Sequence, residues 1–376
     1  MPRSAQPGSV RPVRHHIAGG RDHGGGIGRL VGYVVDADPA RQRHRVQDTR
    51  GPRFRPLQSG LMLARAILAM VGDRIAGGDR LQHIHIAGRG STARKLILAR
   101  VARLLGLDYV LHLHDFDYAA DLARRPAWQQ SAIRRMFWNA RRVVVLGARD
   151  RATVQGLLGV PGDRITILRN CVPDPMADHG ADPRPDSAGH VCRIVFLGQL
   201  GARKGVPELL EALARLRDLP WTATLAGDGP LAQIRAQVAG LGLQDRIDIP
   251  GWIDQPRARA LCSQGDILVL PSHAEGMAMA VIEGLAHGMA VVTTRVGAHD
   301  EVLTHDLTCL FVPVGDAAAL ADTLAGLIAD PARRLRLAGA GRALFLSRME
   351  IGGYVARLSD LHDDLAATPC PKREMA

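Results

Sequence analysis

The sequence contains few aromatic residues: phenylalanine, tryptophan and tyrosine make up 4% of its 376 residues. Proteins that read RNA or DNA usually present an aromatic stacking surface or a recognisable binding module, and neither is evident here. Nucleic acid is therefore not the expected partner, although 48 Lys and Arg residues give the chain a net charge of +11. This excess of cations favours an anionic membrane surface or a phosphorylated substrate.

Cysteine is also sparse, with five residues, an odd number, and no CxxC spacing. No clustered histidines accompany the cysteines in the sequence, so neither a disulfide framework nor a zinc site is expected. The sequence predicts reduced thiols in core strands.

Long apolar runs are missing as well. The longest near the start, LMLARAILAMVG from Leu61, is interrupted by Arg65 and is too short to cross a bilayer, so it predicts a buried helix. The N-terminal segment MPRSAQPGSVRPVRHH is basic and has no apolar signal core. These features predict a cytoplasmic protein, with any attachment to the inner face of the cytoplasmic membrane being electrostatic.

The length favours two domains, each with its own core. From Arg193 onward, short Val/Ile/Leu runs alternate with helical patterns, which is typical of parallel strands joined by crossover helices. The first half repeats this alternation less cleanly. The sequence therefore predicts an N-terminal domain at 1–175, a Pro-, Gly- and Asp-rich linker at 176–189, a C-terminal domain at 190–345, and a last segment at 346–376.

The segment DILVLPSHAEGMAMAVIEGLAHG, from Asp266 to Gly288, carries two carboxylates, Glu275 and Glu283, separated by seven residues. Ionised carboxylates accept two hydrogen-bond donors at once, so the pair suits the vicinal hydroxyls of a ribose or a hexose. Two glutamates on a solvated helix face would give the same spacing.

Further blocks surround this segment: FLGQLGARKGVPELLEAL from Phe196, TLAGDGP from Thr224, IPGWID from Ile249, and LFVPVGDAAALADTLAGLI from Leu310. Together they resemble glycosyltransferase family 4, whose members are retaining enzymes that use nucleotide-sugar donors. The resemblance covers nearly all of the second half and only the outline of the first. It implies an α/β protein of GT-B architecture, with two Rossmann-like doubly wound parallel-sheet domains facing a central cleft, and a C-terminal helix that returns to the first domain.

A sugar donor carries a diphosphate that becomes the leaving group, so cations and backbone amides directed at it stabilise the developing charge. In the family, the loop GQLGARKG carries an arginine and a lysine for this diphosphate. Lys204 matches the lysine, while Gln199 stands at the arginine position, where an uncharged amide lacks the guanidinium's charge and fork. Arg203 either supplies the positive charge that Gln199 lacks or is a solvated surface residue.

By the same resemblance, Glu283 binds the donor ribose, and Glu275 with the backbone after it meets the sugar. Gly276, Met277 and Ala278 stand at a helix start, where amides aided by the helix dipole can face the β-phosphate.

The first domain supplies a glycine cluster and a strand-end histidine. Gly25 and Gly26, in GGRDHGGGIGRL, precede a predicted helix, where bare amides can approach phosphate oxygens. His114, in YVLHLHDFDY, matches a family histidine that contacts the donor sugar near the reacting carbon. His112 is two residues earlier, so both side chains lie on the same face of the strand and either face the cleft or pack beneath it. Of the two, His114 is the expected catalytic residue.

The segment HIHIAGRGSTARK places Arg89, Ser91, Arg94 and Lys95 between a strand and a helix, which suits an acceptor phosphate or, alternatively, a capped helix with exposed cations. No acidic DxD pair stands in a suitable loop, so no divalent metal is expected at the donor diphosphate and no further cofactor is required.

The sequence thus predicts transfer of a hexose-type sugar from a UDP- or GDP-sugar to a glycan or a lipid-diphosphate-linked glycan, in bacterial polysaccharide biosynthesis. The expected catalytic residues are His114, Glu275 and Lys204. Two alternatives stay open: a nucleotide-sugar epimerase of the same fold, which keeps the nucleotide on its product, and a noncatalytic basic binding protein, which Gln199 allows.

Overall fold

The protein is described by a computed structural model that covers residues 11–38, 43–77, 80–177 and 191–367. The chain forms two compact units. One takes the chain up to Asn170 and again from Ile351, and the other comprises Cys171–Glu350. The predicted domain limits at 175 and 345 lie within five residues of these boundaries, whereas most of the predicted linker falls outside the described residues.

The first unit is built on a six-stranded parallel sheet. Its strands are β1 (Val13–Ile17), β2 (His44–Asp48), β3 (Leu81–Ile86), β4 (Tyr109–Leu113), β5 (Arg142–Val145) and β6 (Ile165–Ile167). They lie in the order β2-β1-β3-β4-β5-β6, so the direction of strand addition reverses between β1 and β3.

Within the described residues, seven α-helices connect these strands. They are α1 (Gly20–His23), α2 (Gly25–Asp36), α3 (Pro56–Ile75), α4 (Arg89–Leu104), α5 (Tyr118–Ala123), α6 (Ala127–Asn139) and α7 (Ala148–Leu158). One hydrophobic core of this unit packs Ile84, Ile86, Leu111 and Leu113 of the sheet against apolar side chains of α3, α4 and α6.

The second unit has another six-stranded parallel sheet. Its strands are β7 (Cys192–Leu197), β8 (Trp221–Ala226), β9 (Ile247–Gly251), β10 (Ile267–Leu270), β11 (Ala290–Thr294) and β12 (Leu310–Val312). They lie in the order β12-β11-β10-β7-β8-β9, so the reversal falls between β7 and β10. Two six-stranded parallel sheets with crossover helices confirm the predicted α/β class.

The helices of the second unit are α8 (Val206–Ala214), α9 (Leu231–Gly240), α10 (Gln255–Gln264), α11 (Met279–Ala286), α12 (His299–Val302), α13 (Ala317–Ala329) and α14 (Pro331–Arg348). Local sequence explains several of their starts. Pro207 lies in the first turn of α8, and the carboxylate of Asp316 accepts a hydrogen bond from the Ala319 amide at 2.9 Å to cap α13.

The last helix, α15 (Ile351–Ala367), belongs to the first unit. Arg43 near the start of β2 reaches Asp363 of this helix at 2.7 Å and also donates to the Ser359 carbonyl. These bonds fix the C-terminal helix on the sheet of the first unit.

The structure corrects the predicted burial of α3. This helix forms over the expected residues, yet Leu57, Leu61, Leu68 and Ile75 are between 52 and 93% exposed. Ala66 and Met70 are the apolar residues that it buries fully, because only a narrow face of the helix meets the core. None of the helices in the described residues is long and apolar enough to span a membrane.

Candidate active site

The carboxyl edge of the second sheet is where the predicted donor-binding segments lie. Residues 198–205 follow β7, 227–230 follow β8, 271–278 follow β10 and 295–298 follow β11. The reversal of strand order between β7 and β10 opens a crevice at this edge, which is where open α/β sheets bind their ligands. The loops after β7 and β10 border that crevice directly.

Two glycines bring these loops together. Gly205 has φ +72°, and a Cβ on it would lie 2.1 Å from the Pro271 carbonyl oxygen. Gly297 has φ +58°, and a Cβ there would lie 2.2 Å from the Glu275 carbonyl oxygen. Only glycine combines this backbone conformation with such close approaches, so both positions are required for the loops to pack.

Lys204, Arg203 and Glu275 converge across the crevice. Nζ of Lys204 lies 2.5 Å from Oε1 of Glu275, and a guanidinium nitrogen of Arg203 lies 3.5 Å from the same oxygen. Arg203 also donates to the Ala274 carbonyl at 2.9 Å. The side chains of Lys204 and Glu275 are mostly buried, at 14 and 9% exposure, which strengthens their attraction.

A fourth side chain, that of His299 at the start of α12, fixes the loop that carries Glu275. Its Nδ1 lies 3.2 Å from the Thr294 carbonyl oxygen, and its Nε2 accepts a hydrogen bond from the Ala278 amide at 3.3 Å. Burial lowers the pKa of His299, while the nearby Glu275 carboxylate opposes this shift. The neutral ring therefore donates on one side and accepts on the other. Sequence reasoning did not identify this residue.

The remaining predicted residues of the second unit lie on the same segment. Glu283 is on α11 and is 8% exposed. Gly276, Met277 and Ala278 precede the helix, which begins at Met279. The Ala278 amide donates to His299, so of the three predicted phosphate-facing amides this one is already engaged within the protein.

Gln199, at the family's arginine position, is exposed on the loop after β7. The nearby Arg203 is the guanidinium that contacts the Glu275 loop. The cations that meet Glu275 therefore come from consecutive residues at the end of the loop, just before α8.

In the first unit, Gly25 and Gly26 form the exposed N-terminus of the twelve-residue helix α2. A Cβ added to Gly25 would meet open space, whereas a Cβ on Gly28 would lie 2.6 Å from the Gly20 carbonyl oxygen. The glycine cluster thus has two parts: Gly28 packs α2 against α1, and Gly25 and Gly26 present backbone amides to the surface.

His114 follows β4 directly and is partly buried, whereas His112 is fully buried within the strand. Nε2 of His114 lies 2.9 Å from Nδ1 of His85, so this nitrogen is held by the neighbouring strand. Burial lowers the pKa of His114 to about 3, which keeps its imidazole neutral.

The prediction that Lys95 contributes to an exposed anion site is wrong. Lys95 is fully buried, and its Nζ donates to the His16 carbonyl at 2.9 Å and to Oγ1 of Thr49 at 2.8 Å. Burial lowers its pKa well below the usual value. It points into the protein because α4 packs this position against the sheet, while Arg89 on the same helix is exposed.

Comparison with known proteins matches residues 191–330 to the family described as glycosyl transferases group 1. The chain is 24% identical over 312 residues to alpha-D-kanosaminyltransferase of Streptomyces kanamyceticus, covering 75% of this chain and 77% of that protein. It is 31% identical over 172 residues to the lipopolysaccharide core biosynthesis glycosyltransferase LpsD of Rhizobium meliloti. That match covers 45% of this chain and about half of the relative, 49%.

The fold resembles that of Anabaena HepE, a structure solved in complex with UDP-glucose. The TM-score is 0.73 at 16% identity, covering 94% of this chain and 99% of HepE. Together with the two parallel sheets, these matches support glycosyltransferase activity, and they identify residues 191–330 as a glycosyl transferases group 1 domain within a chain of the GT-B fold.

Proposed function

We propose that the protein transfers a hexose-type sugar from a UDP- or GDP-sugar to a glycan or lipid-linked glycan, with retention of configuration, in bacterial polysaccharide biosynthesis. One observation carries the proposal: Arg203 and Lys204 meet Glu275 at the crevice where the strand order of the second sheet reverses. Two cations and one carboxylate leave this group one positive charge in excess. A donor diphosphate is the ligand part that this excess recognises.

The two cations supply the electrostatic part of the reaction. As the bond between the sugar and the diphosphate breaks, negative charge grows on the leaving phosphate, and Lys204 and Arg203 stabilise it. Because the Lys204 ammonium is largely withdrawn from water, its effect on that charge is stronger than that of a solvated lysine. The two cations serve here in place of a divalent metal.

The two glutamates recognise hydroxyl groups. Lys204 holds Glu275 through Oε1, and we assign Oε2 to the sugar hydroxyls. Glu283, eight residues further and nearly buried on α11, binds the ribose hydroxyls. Each carboxylate accepts charge-assisted hydrogen bonds, which are about twice as strong as neutral ones.

His114 of the first unit acts on the donor sugar. Its Nε2 is held by His85, which leaves Nδ1 as the nitrogen that meets the sugar. A neutral imidazole suits this role, because a positively charged ring would oppose the positive charge that develops at the reacting carbon. The exposed amides of Gly25 and Gly26 at the start of α2 assist in binding phosphate oxygens.

A charged acceptor explains the basic character of the chain. The net charge of +11 favours an acceptor that carries a phosphate or diphosphate, and it favours peripheral contact with an anionic membrane. LpsD, whose name places it in lipopolysaccharide core biosynthesis, supports an acceptor of the cell envelope. Arg89 and Arg94 on α4 are the cations that we assign to the acceptor.

A donor panel tests the proposal. The full chain is incubated with individual UDP-, GDP- and ADP-sugars, the unfolding midpoint is measured, and nucleotide release is followed with and without a glycan acceptor. A UDP- or GDP-sugar should raise the midpoint and release nucleotide in an acceptor-dependent way. An epimerase would convert the sugar without net release, and a binding protein would be stabilised without any product.

Glu283→Gln provides the site-specific arm of this test. It should lose most of the stabilisation by the preferred donor, whereas Glu211→Gln, an exposed glutamate paired with Arg215 on α8, should keep it. Donor affinity at the parental level in Glu283→Gln would remove the ribose assignment.

A further inference from the structure

An unusual concentration of histidines lies on one face of the sheet in the first unit. Six of them are at most 5% exposed and the seventh, His114, is partly buried. The cluster, here called the histidine face, comprises His15, His44, His83, His85, His112, His114 and His362. The group 1 domain lies elsewhere in the chain, and the proposed transfer reaction uses only His114 of these side chains, together with His85, which bonds to it.

Strand register brings the histidine face together. His15 pairs with His83 across β1 and β3, and His85 pairs with His112 across β3 and β4. Residues two apart on a strand point to the same side of the sheet, so His114 follows His112 onto this face. The result is a set of stacked imidazoles, with the rings of His112 and His114 4.0 Å apart.

The rings form two connected series. In the first, Nε2 of His15 lies 2.9 Å from Nδ1 of His44, Nδ1 of His15 lies 3.0 Å from Nε2 of His85, and Nδ1 of His85 lies 2.9 Å from Nε2 of His114. In the second, Nδ1 of His83 lies 3.0 Å from Nε2 of His362, and Nε2 of His83 lies 3.3 Å from Nδ1 of His112. The second series ends on Nε2 of His112, which is buried and has no hydrogen-bond partner among the described residues.

These imidazoles are neutral at physiological pH. Burial lowers the pKa of His85 and His112 well below the usual value and that of His114 to about 3, and the neighbouring histidines lower the first two further. Each neutral ring has one nitrogen with a lone pair. Lone pairs on neutral imidazoles are what a transition metal requires, without competition from protons.

We propose that His85, His112 and His114 bind one divalent transition-metal ion. One ring nitrogen from each lies within 4.8 Å of the others. Zinc binds histidine nitrogens at about 2.0–2.1 Å, which places two nitrogens of one tetrahedral site roughly 3.3 Å apart. The 2.9 Å between Nδ1 of His85 and Nε2 of His114 needs only a small ring rotation to meet this spacing. The ion takes the place of the proton between these two nitrogens, and that proton moves to the other nitrogen of the ring that carried it, so each imidazole stays neutral.

A second triad, His15, His83 and His85, has similar spacing but is less suited to an ion. Both ring nitrogens of His15 and of His83 already engage other imidazoles. The chosen triad instead contains the unengaged Nε2 of His112, and the partial exposure of His114 gives an ion a path of entry and a fourth position for water.

The rest of the histidine face holds the ligands in place. If Nδ1 of His85 and Nε2 of His112 bind the ion, their other nitrogens remain bonded to His15 at 3.0 Å and to His83 at 3.3 Å. Metal-bound histidines almost always have such a partner on the second nitrogen, which fixes the ring and its tautomer. Imidazole ligands without a carboxylate or thiolate favour zinc, copper, nickel or cobalt over magnesium or calcium.

Metal binding is tested on the full chain after removal of any purification tag and dialysis against a chelator. Zn²⁺ is titrated by calorimetry, and Co²⁺ by its visible absorption, which reports tetrahedral nitrogen ligation. One ion per chain should bind to this site. His114→Gln and His112→Gln should each abolish it, and His83→Gln, which removes a supporting imidazole, should weaken it by roughly 10- to 100-fold.

The matched control is His16→Gln. His16 is equally buried on β1, but its ring bonds to Gln82 rather than to the histidine face, so its replacement should leave Zn²⁺ affinity unchanged. Far-UV circular dichroism of each metal-free variant verifies folding. If His112→Gln does not fold, His114→Gln, at the partly exposed position, decides the result.

Two outcomes would overturn the proposal: no Zn²⁺ or Co²⁺ binding by the parent beyond that of the His114→Gln variant, or full affinity in both His112→Gln and His114→Gln. Because the readout is binding of the metal alone, this test is independent of whether the protein transfers a sugar.

Discussion

The ammonium of Lys204 lies 2.5 Å from Oε1 of Glu275, which joins the loop after β7 to the loop after β10. Glu275→Gln keeps the shape of the side chain and removes its charge, leaving a mostly buried lysine without its counterion. We expect kcat/KM for the preferred sugar donor to fall at least about tenfold, or roughly 1.4 kcal/mol in transition-state free energy. Initial rates at low donor concentration measure this directly.

Glu211→Gln is the matched control, because Glu211 and Arg215 form an exposed ion pair of 2.7 Å on α8. Surface pairs of this type contribute little, so this variant should retain the parental kcat/KM. A Glu275→Gln enzyme as active as the Glu211→Gln control would show that the ion pair has no part in the reaction.

Because the two loops pack closely, alanine substitution should have very different effects on stability at two glycines of the β7 loop. Gly205→Ala places a methyl group 2.1 Å from the Pro271 carbonyl oxygen at a φ of +72°, so the loops must separate. We expect a loss of about 2 kcal/mol or more in the free energy of unfolding. Gly201→Ala, in the same loop, has an extended backbone and nothing within 4 Å of a Cβ.

Denaturant unfolding of the two variants, with donor affinity measured in parallel, separates the effects. Gly201→Ala should match the parent in both measurements, while Gly205→Ala should be impaired in both. Equal stability of the two alanine variants would mean that the β7 loop does not need the close approach to Pro271.

Most strands of both sheets coincide with short Val/Ile/Leu runs of the sequence, whereas β2 and β9 do not. β2 and β9 are edge strands, and their sequences HRVQD and IDIPG alternate with polar or exposed residues. The other two edge strands, β6 and β12, have the apolar sequences ITI and LFV, so β2 and β9 are hidden by their polar residues and not by edge position alone. Both lack the continuous apolar run that marks a central parallel strand.

The site was only partly predictable. The resemblance identified Lys204, Arg203 and Glu275, but their meeting depends on β7 and β10 being neighbours, which is a property of strand order. His299 acts through backbone bonds that no spacing rule reveals. The roles of Lys204, Arg203, Glu275 and His114 stay predictions, as do those of Gly25, Gly26, Glu283 and the Gly276–Ala278 amides.

The histidine face shows the same limit. The alternation in HIHI and HLH predicts that successive histidines of one strand share a face. A metal site was not expected, because the cysteines and histidines do not stand at the short spacings along the chain that mark most zinc sites. The ligands proposed here come from two strands whose register the sequence does not display.

Buried histidines make the stability of the protein sensitive to mild acid. Burial, assisted by the nearby Lys95 charge, lowers the pKa of His16 to about 3. Below pH 6.5 the unfolded chain takes up a proton at this residue while the folded protein does not, so stability falls with pH until the folded group titrates near 3. At pH 5 this single group removes about 2 kcal/mol relative to pH 8.

His16→Gln should therefore reduce the loss of unfolding free energy between pH 7.5 and 5.5 by about 1.4 kcal/mol, whatever its effect at neutral pH. The buried histidines of the histidine face, whose pKa values are also lowered, account for the rest of the slope. Urea unfolding at several pH values in the presence of a chelator provides the measurement. His23→Gln, at an exposed position of α1, is the control and should leave the slope as in the parent. A parental slope in His16→Gln would mean that this ring takes up its proton in the folded protein.

His299 is expected to determine donor affinity without touching the donor. His299→Leu fills a similar volume but leaves the Ala278 amide without its acceptor, whereas the Thr294 carbonyl keeps its hydrogen bond from the Val296 amide at 3.0 Å. An unsatisfied buried amide costs about 1–3 kcal/mol, and the 275–278 loop can relieve this cost by moving its amide toward water. That movement displaces Glu275, so the Kd for the preferred nucleotide sugar should rise about tenfold or more.

The control is His305→Leu, in a different loop of the same unit. His305 also accepts a backbone hydrogen bond, from the Phe311 amide at 3.0 Å, and the variant removes this acceptor. Calorimetric titration of both variants with the donor measures Kd. A normal Kd in His299→Leu would show that the Glu275 loop holds its position without this histidine.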